Sequence, residues 1–194
     1  MGVIAGVSLV EFFKEQVEGA VAEQGIPASE ATSHYVVRLL ADTLRADRCG
    51  AAGALLDPRP LALRLADALD ERCPAPGVAL RGVADAALLL GGFFACRAGR
   101  HGVPRSYYHR LGGWAYGALG QEPQRLAPIF KDLAERFAQY ADVLGEVGQR
   151  AEIQTASGLI RALEAWERSH DDVTERLLVG RGVVLSRGRR QWLQ

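Results

Sequence analysis

The stretch 77-GVALRGVADAALLLGGFFAC-96 is the most apolar part of the sequence and decides how the remaining segments must pack. Small and apolar side chains occupy nearly every turn, so the helix that it predicts, residues 78–97, is apolar on most of its circumference. A helix of that kind is buried on all sides rather than along one stripe. Its longest apolar run, 86–96, falls short of the roughly 20 residues that a bilayer span requires. We therefore expect a central, buried helix around which the other helices pack.

One acidic residue, Asp85, interrupts this apolar helix. A buried carboxylate is costly unless it is paired or hydrogen-bonded. Arg81 lies one turn earlier on the same helix and is in position to neutralise it. Two interpretations follow: Asp85 anchors the core through an arginine or through tyrosine hydroxyls, or it lies at the base of a ligand pocket with a shifted pKa.

The rest of the chain has helical periodicity and no convincing alternating strand. Ser8 and Glu11 predict a capping box, Ser29 predicts the cap of the next helix, and segments such as "GIP" and "CPAPG" separate helices. Besides the central helix, we predict helices at 8–24, 30–46, from 61 onward, 104–119, 129–147, 151–169 and 171–179. This pattern predicts an all-α, helical-bundle-like fold of seven or eight helices, with one domain at 1–179 and an arginine-rich tail, frayed or loosely docked, at 180–194.

Two of these helices have a clear apolar face. Leu61, Leu65 and Leu69 are predicted to share one face of the helix that begins after "DPRP". The helix at 129–147 is the most regular, and its apolar stripe consists of Ile129, Leu133, Phe137, Tyr140, Leu144 and Val147. Its polar residues Asp132, Glu135, Arg136 and Gln139 are predicted to face away from that stripe.

The segment 105-RSYYHRLGGWAYGALG-120 combines aromatic residues with glycines. Gly113, Gly117 and Gly120 lie at i, i+4 and i+7 and predict a smooth strip along one side of a helix. Each glycine costs about 1 kcal/mol relative to alanine in a helix. Close approach of another helix is the simplest reason for such a cost, and a ligand that fills the space beside the glycines is the alternative.

The aromatic residues of this segment and the arginines around it are candidates for ligand binding. Buried tyrosine and tryptophan side chains need partners for their polar tips, and arginines near a helix N-terminus can bind an anion. The same arginines also fit a solvated patch that pairs with acidic helices. The candidate ligand-binding residues are Asp85, Arg97, Arg105, Tyr107, Tyr108 and Trp114.

No motif for catalysis or for metal binding is found. The four histidines (His34, His101, His109 and His170) lack the spacing of metal ligands, and Glu167 with His170 is a single ExxH where a di-metal site needs two. Phosphate-binding loops and GxSxG elbows are absent from the sequence. We predict no catalytic residue, no metal and no cofactor.

Composition argues for a cytoplasmic protein. Twenty-three basic and 23 acidic residues give a net charge of zero, so nucleic-acid binding is not expected, even with the arginines of 181–190. Cys49, Cys73 and Cys96 are widely spaced and read as free thiols of a reducing compartment. The N-terminal segment has no basic region before its apolar run, which argues against a signal peptide.

Several pieces of the sequence form a pattern that can be written FF…S…Y.V.LLA, then D…L…GFF..R…R.GV…YY..LG..AY, then F..LA..F……VL.EV. The matching residues are Phe12–Phe13, Ser29, Tyr35, Leu39–Ala41, Asp85, Gly92–Phe94, Arg97, Gly102–Val103, Tyr107–Tyr108, Leu111–Gly112, Ala115–Tyr116, Phe130, Leu133–Ala134, Phe137, Val143–Leu144 and Glu146–Val147. By these residues, over most of 9–150, the chain resembles a family of uncharacterised bacterial all-helical proteins. The resemblance implies a self-contained domain built around Asp85, Arg97, Tyr107 and Tyr108, and it implies no function.

Two functions are consistent with these features. The first is a non-enzymatic cytosolic protein that binds a partner protein or a small ligand in a regulatory role, with a homodimer through an apolar face such as 130–147. The second is an enzyme, or a binder of a cofactor or anionic ligand, with its site between the helices at 78–97 and 104–119. No membrane association is expected in either case.

Overall fold

The computed structural model describes residues 9–44, 57–95 and 103–153, together with residues 166, 168, 170 and 172–180. Within these residues all regular elements are α-helices, and no strand is present. The helices are α1 (Leu9–Glu23), α2 (Glu30–Leu44), α3 (Leu61–Leu69), α4 (Pro76–Gly91), α5 (Arg105–Gln121), α6 (Ala127–Glu135), α7 (Phe137–Ile153) and α8 (Asp172–Gly180). The predicted all-α fold is confirmed.

The contacts of the chain define two compact units, Met1–Val147 and Gly148–Gln194. Helices α1 to α6 and most of α7 belong to the first unit, and α8 belongs to the second. A single domain that ends at residue 179 stays a prediction. The arginine-rich tail after Gly180, like the predicted cap at Ser8, lies outside the described residues.

Local signals fix the end of α1 and the start of α2. Gly25 has a positive φ of 63°, and the amide of Ile26 donates to the carbonyl of Val21 over 3.1 Å, which is the hydrogen-bond pattern of a glycine-terminated helix. Ser29 then caps α2 as predicted, because its hydroxyl accepts a hydrogen bond of 3.1 Å from the amide of Thr32.

Helix α4 is the buried centre of the first unit, as its sequence predicts. Nine of its residues between Leu80 and Gly91 are buried, and the helix packs against both α3 and α5. It ends at Gly91 rather than near residue 97. A Cβ on Gly92 would lie 2.8 Å from both the carbonyl oxygen of Ala141 and Cβ of Leu144, so the chain turns where α7 crosses it.

The predicted helix at 129–147 is two helices, α6 and α7, which meet at Arg136. Of its predicted apolar stripe, Leu133, Phe137, Tyr140, Leu144 and Val147 are buried in the first unit, whereas Ile129 is only half-buried and its neighbour Phe130 is buried instead. The prediction that Asp132 faces away is wrong: its carboxylate pairs with Arg136 and accepts a hydrogen bond of 2.8 Å from the hydroxyl of Tyr140. Because the stripe forms the core, it offers no face for a homodimer.

Helix α3 lies at the edge of this core and has apolar residues on both sides. Leu61 and Ala68 are buried against the core, and Leu65 is half-buried. Leu69, predicted to share their face, instead points to solvent and is 53% exposed. It joins Leu63, which is 57% exposed, and the exposed Ala62 and Ala66 on what we call the outer face of α3.

Helix α5 makes its closest contacts through Gly112 and Gly120. Of the predicted strip of Gly113, Gly117 and Gly120, only Gly120 takes part. A Cβ on Gly112 would lie 2.4 Å from the ring of Phe137 and 2.9 Å from Cβ of Ala87. A Cβ on Gly120 would lie 2.8 Å from Cγ of Lys131. At Gly113 and Gly117 the nearest atoms would be 3.8 and 3.9 Å away, which is ordinary van der Waals contact. The tight crossing therefore runs through Gly112 and Gly120.

Alanine at Gly112 and alanine at Gly117 should have opposite effects on stability. Gly112→Ala forces a methyl group into the Phe137 ring, and overpacking of this kind costs about 1–3 kcal/mol. Gly117→Ala finds room and should add up to about 1 kcal/mol from helix propensity. Urea denaturation of the two variants measures both changes in the free energy of unfolding. Equal effects would show that α5 is not held by the Gly112 contact.

Candidate functional site

The most developed polar cluster in the core is centred on Asp85. Asp85 is only 6% exposed and lies in the middle of α4. Its Oδ1 accepts two hydrogen bonds, one of 2.6 Å from the hydroxyl of Tyr35 on α2 and one of 2.7 Å from the hydroxyl of Tyr116 on α5. One carboxylate oxygen thus joins three helices that are far apart in the sequence.

Arg81 completes this cluster from the surface side, as its spacing from Asp85 predicts. Its Nε lies 3.6 Å from Oδ2 of Asp85 and donates a hydrogen bond of 3.0 Å to the hydroxyl of Tyr35. Its guanidinium carbon lies 5.1 Å from the centre of the Tyr35 ring, within the range of a cation–π contact. The side chain of Arg81 is half-exposed, so it links the buried carboxylate to the protein surface.

Aromatic side chains hold the two hydroxyls in place. The ring of Phe130 is stacked on Tyr116 and meets Tyr35 edge-on, with centroids 5.7 Å apart in both pairs. Phe137 packs against the same Tyr116 ring at 6.1 Å. The hydroxyl positions therefore depend on the packing of α6 and α7 as well as on the hydrogen bonds.

The electrostatic environment keeps the hydroxyls of this cluster protonated. Burial raises the pKa of Asp85, and the hydrogen bonds from Tyr116 and Tyr35 and the charge of Arg81 offset this in part. Burial and then the negative charge of Asp85 raise the pKa of Tyr35 and of Tyr116. Both tyrosines remain hydrogen-bond donors at neutral pH, so neither is suited to act as a base.

The other candidate residues lie outside this cluster. Arg105 pairs with Asp142 at 2.7 Å and donates to the carbonyl of Gly91 over 3.2 Å. Tyr108 is buried, with its Cβ next to Gly91, and Trp114 is 50% exposed. Arg97 lies outside the described residues. The structure thus brings Asp85 together with Arg81, Tyr35 and Tyr116 rather than with Tyr107 and Tyr108.

Tyr107 has a different role, at the start of α3. Its hydroxyl accepts a hydrogen bond of 3.1 Å from the amide of Ala62, one of the helix-terminal amides that lack an intrahelical partner. Pro60, at the N-cap position, makes no side-chain hydrogen bond to this end, and no neighbouring side chain within the described residues caps it either. A side chain of α5 therefore caps α3 from outside, which the sequence spacing could not indicate.

Sequence reasoning missed Tyr35 and Tyr116 as the specific partners of Asp85. The burial of Asp85 predicts tyrosine or arginine partners. The sequence does not show which helices lie next to α4, so it does not show which tyrosines these are. The useful signal was that Tyr35 and Tyr116 both lie on apolar faces, where a hydroxyl requires a partner. A second pair follows the same rule, since Tyr140 is buried and donates to Asp132.

His109 lies near the start of α5, with its ring 5.7 Å from that of Phe137. Its Nε2 is buried and has no hydrogen-bond partner among the residues that the structure describes. Burial, with the nearby Arg105 adding to it, lowers the pKa of His109, and Asp142 acts in the opposite direction. No three histidine, cysteine or acidic side chains gather in a metal-binding arrangement within the described part of the chain.

No protein-family model, curated protein or solved structure matches this chain. The resemblance to a bacterial family stays an expectation that rests on the quoted residues. Among the helices that the structure describes, none is both long and apolar enough to cross a membrane.

Replacing Asp85 by asparagine should change how stability depends on pH. Because burial raises the pKa of Asp85, the folded chain keeps a proton at pH values where the unfolded chain has lost it. The free energy of unfolding of the natural chain, relative to that of Asp85→Asn, should therefore fall as the pH rises from about 4 through the folded-state pKa. Urea titrations of both proteins at a series of pH values measure this difference. Parallel pH profiles would contradict it.

Tyr107→Phe and Tyr108→Phe form a matched pair that tests the external cap of α3. Each removes one hydroxyl from neighbouring positions, but within the described residues only that of Tyr107 makes a hydrogen bond. Loss of a cap costs about 1 kcal/mol. We expect Tyr107→Phe to lower the free energy of unfolding by this amount and Tyr108→Phe to leave it nearly unchanged, as measured by thermal denaturation. A larger loss of stability in Tyr108→Phe than in Tyr107→Phe would rule out the cap.

Proposed function

We propose that this chain is a non-enzymatic binding protein whose ligand is another protein, and that the outer face of α3 is the surface it uses. The observation that carries this proposal is that α3 is apolar on both sides although only one side packs against the core. Only Arg64 and Asp67 interrupt the apolar surface of α3, and apolar helix surface of this width is normally covered by another element. Contiguous exposed apolar surface of this kind typically marks a protein-interaction site.

The contacts of Asp85 support a role without catalysis. Its carboxylate is engaged by two tyrosine hydroxyls and faces one arginine, and the hydroxyls have no tendency to ionise at neutral pH. This is the arrangement of a core anchor, since the buried hydroxyls of Tyr35 and Tyr116 and the carboxylate of Asp85 bond to one another inside the protein. It favours the first of the two interpretations of Asp85.

An anionic ligand between α4 and α5 has less support. Arg105, the candidate that would hold it, already donates to Asp142 and to the carbonyl of Gly91. Tyr107, a second candidate, is committed to the amide of Ala62. A ligand at these two side chains would compete with the contacts that they already make.

As part of the same proposal, we infer a cytosolic location and a regulatory role. The zero net charge fits a protein partner better than nucleic acid. Cys73, half-buried and free, fits a reducing compartment. A binding protein without its own chemistry acts by changing what its partner does.

Site-specific photo-crosslinking tests the proposal. A photo-reactive amino acid is introduced at Leu63 or Leu69 on the outer face of α3, and at the exposed Glu15 on α1 as the matched control. After irradiation of cells that produce the protein, we expect a discrete crosslinked species from positions 63 and 69 and none from position 15. Native mass spectrometry of the purified protein should show no bound small molecule.

The opposite pattern would reject the proposal. A chain that crosslinks at no α3 position, and that retains a small molecule until it is denatured, would instead support the ligand-binding alternative.

A further inference from the structure

We propose that the outer face of α3 binds α3 of a second copy of this chain, in an antiparallel arrangement with Ala66 at the two-fold axis. This inference rests on the proposed function, because it names the partner that the outer face of α3 would take. It follows from the shape of that face and from the distribution of charge along α3.

The outer face of α3 is complementary to itself. Ala62 and Ala66 form its middle, and Leu63 and Leu69 flank them on either side, about 120° apart around the helix. Small residues in the middle allow two helix backbones to approach closely. If Ala66 meets Ala66 of the copy, Leu63 lies beside Leu69 of the copy, and this contact occurs twice. Such an interface uses the same patch on both chains, so it forms a dimer to which no third chain is added.

The charges of α3 select the antiparallel arrangement. No acidic residue lies in its first turn and no basic residue in its last turn. Asp67, Asp70 and Glu71 instead lie at its C-terminal end, which carries the negative end of the helix dipole, and Arg72 offsets them only in part through an exposed pair with Asp70 at 3.6 Å. This placement is unfavourable for a helix by itself. In an antiparallel pair, the acidic residues of each chain lie at the N-terminal end of α3 of the other chain, where negative charge is favourable.

Arg59 adds to this complementarity. It precedes α3, its side chain is 56% exposed, and in the antiparallel arrangement it lies close to Asp70 and Glu71 of the copy. Within its own chain it pairs with Asp57 at 2.9 Å and with Asp67 at 2.6 Å, but exposed pairs of this kind are weak and exchange readily. A parallel arrangement would place the acids of both copies together.

The size of the face sets the strength that we expect. A nine-residue helix is about 13 Å long, so its contact with a copy is smaller than a standard protein interface. The dimer should therefore be weak and should depend on protein concentration.

Charged residues at Ala66 test both the partner and the geometry. On a two-fold axis a residue faces its own copy, so Ala66→Arg should repel itself and Ala66→Glu should do the same. We expect the natural chain to shift from monomer to dimer with rising concentration in sedimentation velocity. Each variant alone should remain monomeric over the same range, and an equimolar mixture of the two should form a dimer again.

Trp114 provides the matched controls. It is a large, exposed apolar residue on another helix, so Trp114→Arg and Trp114→Glu change the same kind of surface away from α3. Both should keep the concentration dependence of the natural chain. Because Ala66 is exposed, its variants should also keep the melting temperature of the monomer, which circular dichroism checks.

Each other outcome overturns the inference. A natural chain that stays monomeric at the highest attainable concentration shows that no second copy binds. Dimers of both Ala66 variants, or a mixture that stays monomeric, show that the two-fold axis does not pass near Ala66. If position 63 still crosslinks to a protein of a different mass, the proposed function holds while this inference fails. If it crosslinks to nothing, both fail.

Discussion

The buried carboxylate of Asp85 is the constraint on which the arrangement of the core depends. Tyr35 precedes it by 50 residues and Tyr116 follows it by 31, yet both hydroxyls bond to the same oxygen. Burial of α4 costs least when α2 and α5 are both in place, since a missing tyrosine would remove one of the two hydrogen bonds to the buried oxygen of Asp85 and leave it to Arg81 and the other tyrosine. The cluster therefore fixes the mutual register of three helices and penalises arrangements in which one of them has slipped.

What could be predicted from the sequence was local. The helical periodicity, the burial of α4, the cap at Ser29 and the proximity of Arg81 to Asp85 all follow from spacings of a few residues. The identity of the two tyrosines did not follow, because it depends on which helices are neighbours. Gly112 illustrates the same limit: it lies one residue and 100° of rotation from Gly113, and only the position of Phe137 decides which of them must lack a side chain.

The helix at 129–147 and helix α3 also differ from the prediction, and in both cases the cause is packing that the sequence does not show. The helix at 129–147 breaks at Arg136 without a glycine or a proline, so no residue type marks the break. The polarity of Asp132 predicts a solvent-facing side chain, but the hydroxyl of Tyr140 donates a hydrogen bond to it across that break. In α3, leucines occur on both sides of the helix, and the sequence could not show that only one side would be covered.

The bond between the hydroxyl of Tyr107 and the amide of Ala62 makes α5 responsible for where α3 begins. The first turn of α3 carries Ala62 and Leu63, which belong to the outer face. A substitution in α5 that removes this bond would let that turn fray, although every residue of the outer face stays the same. If the outer face binds a partner as proposed, substitutions at positions that never touch the partner would then change the affinity, and a comparison of contact residues alone would not detect the change.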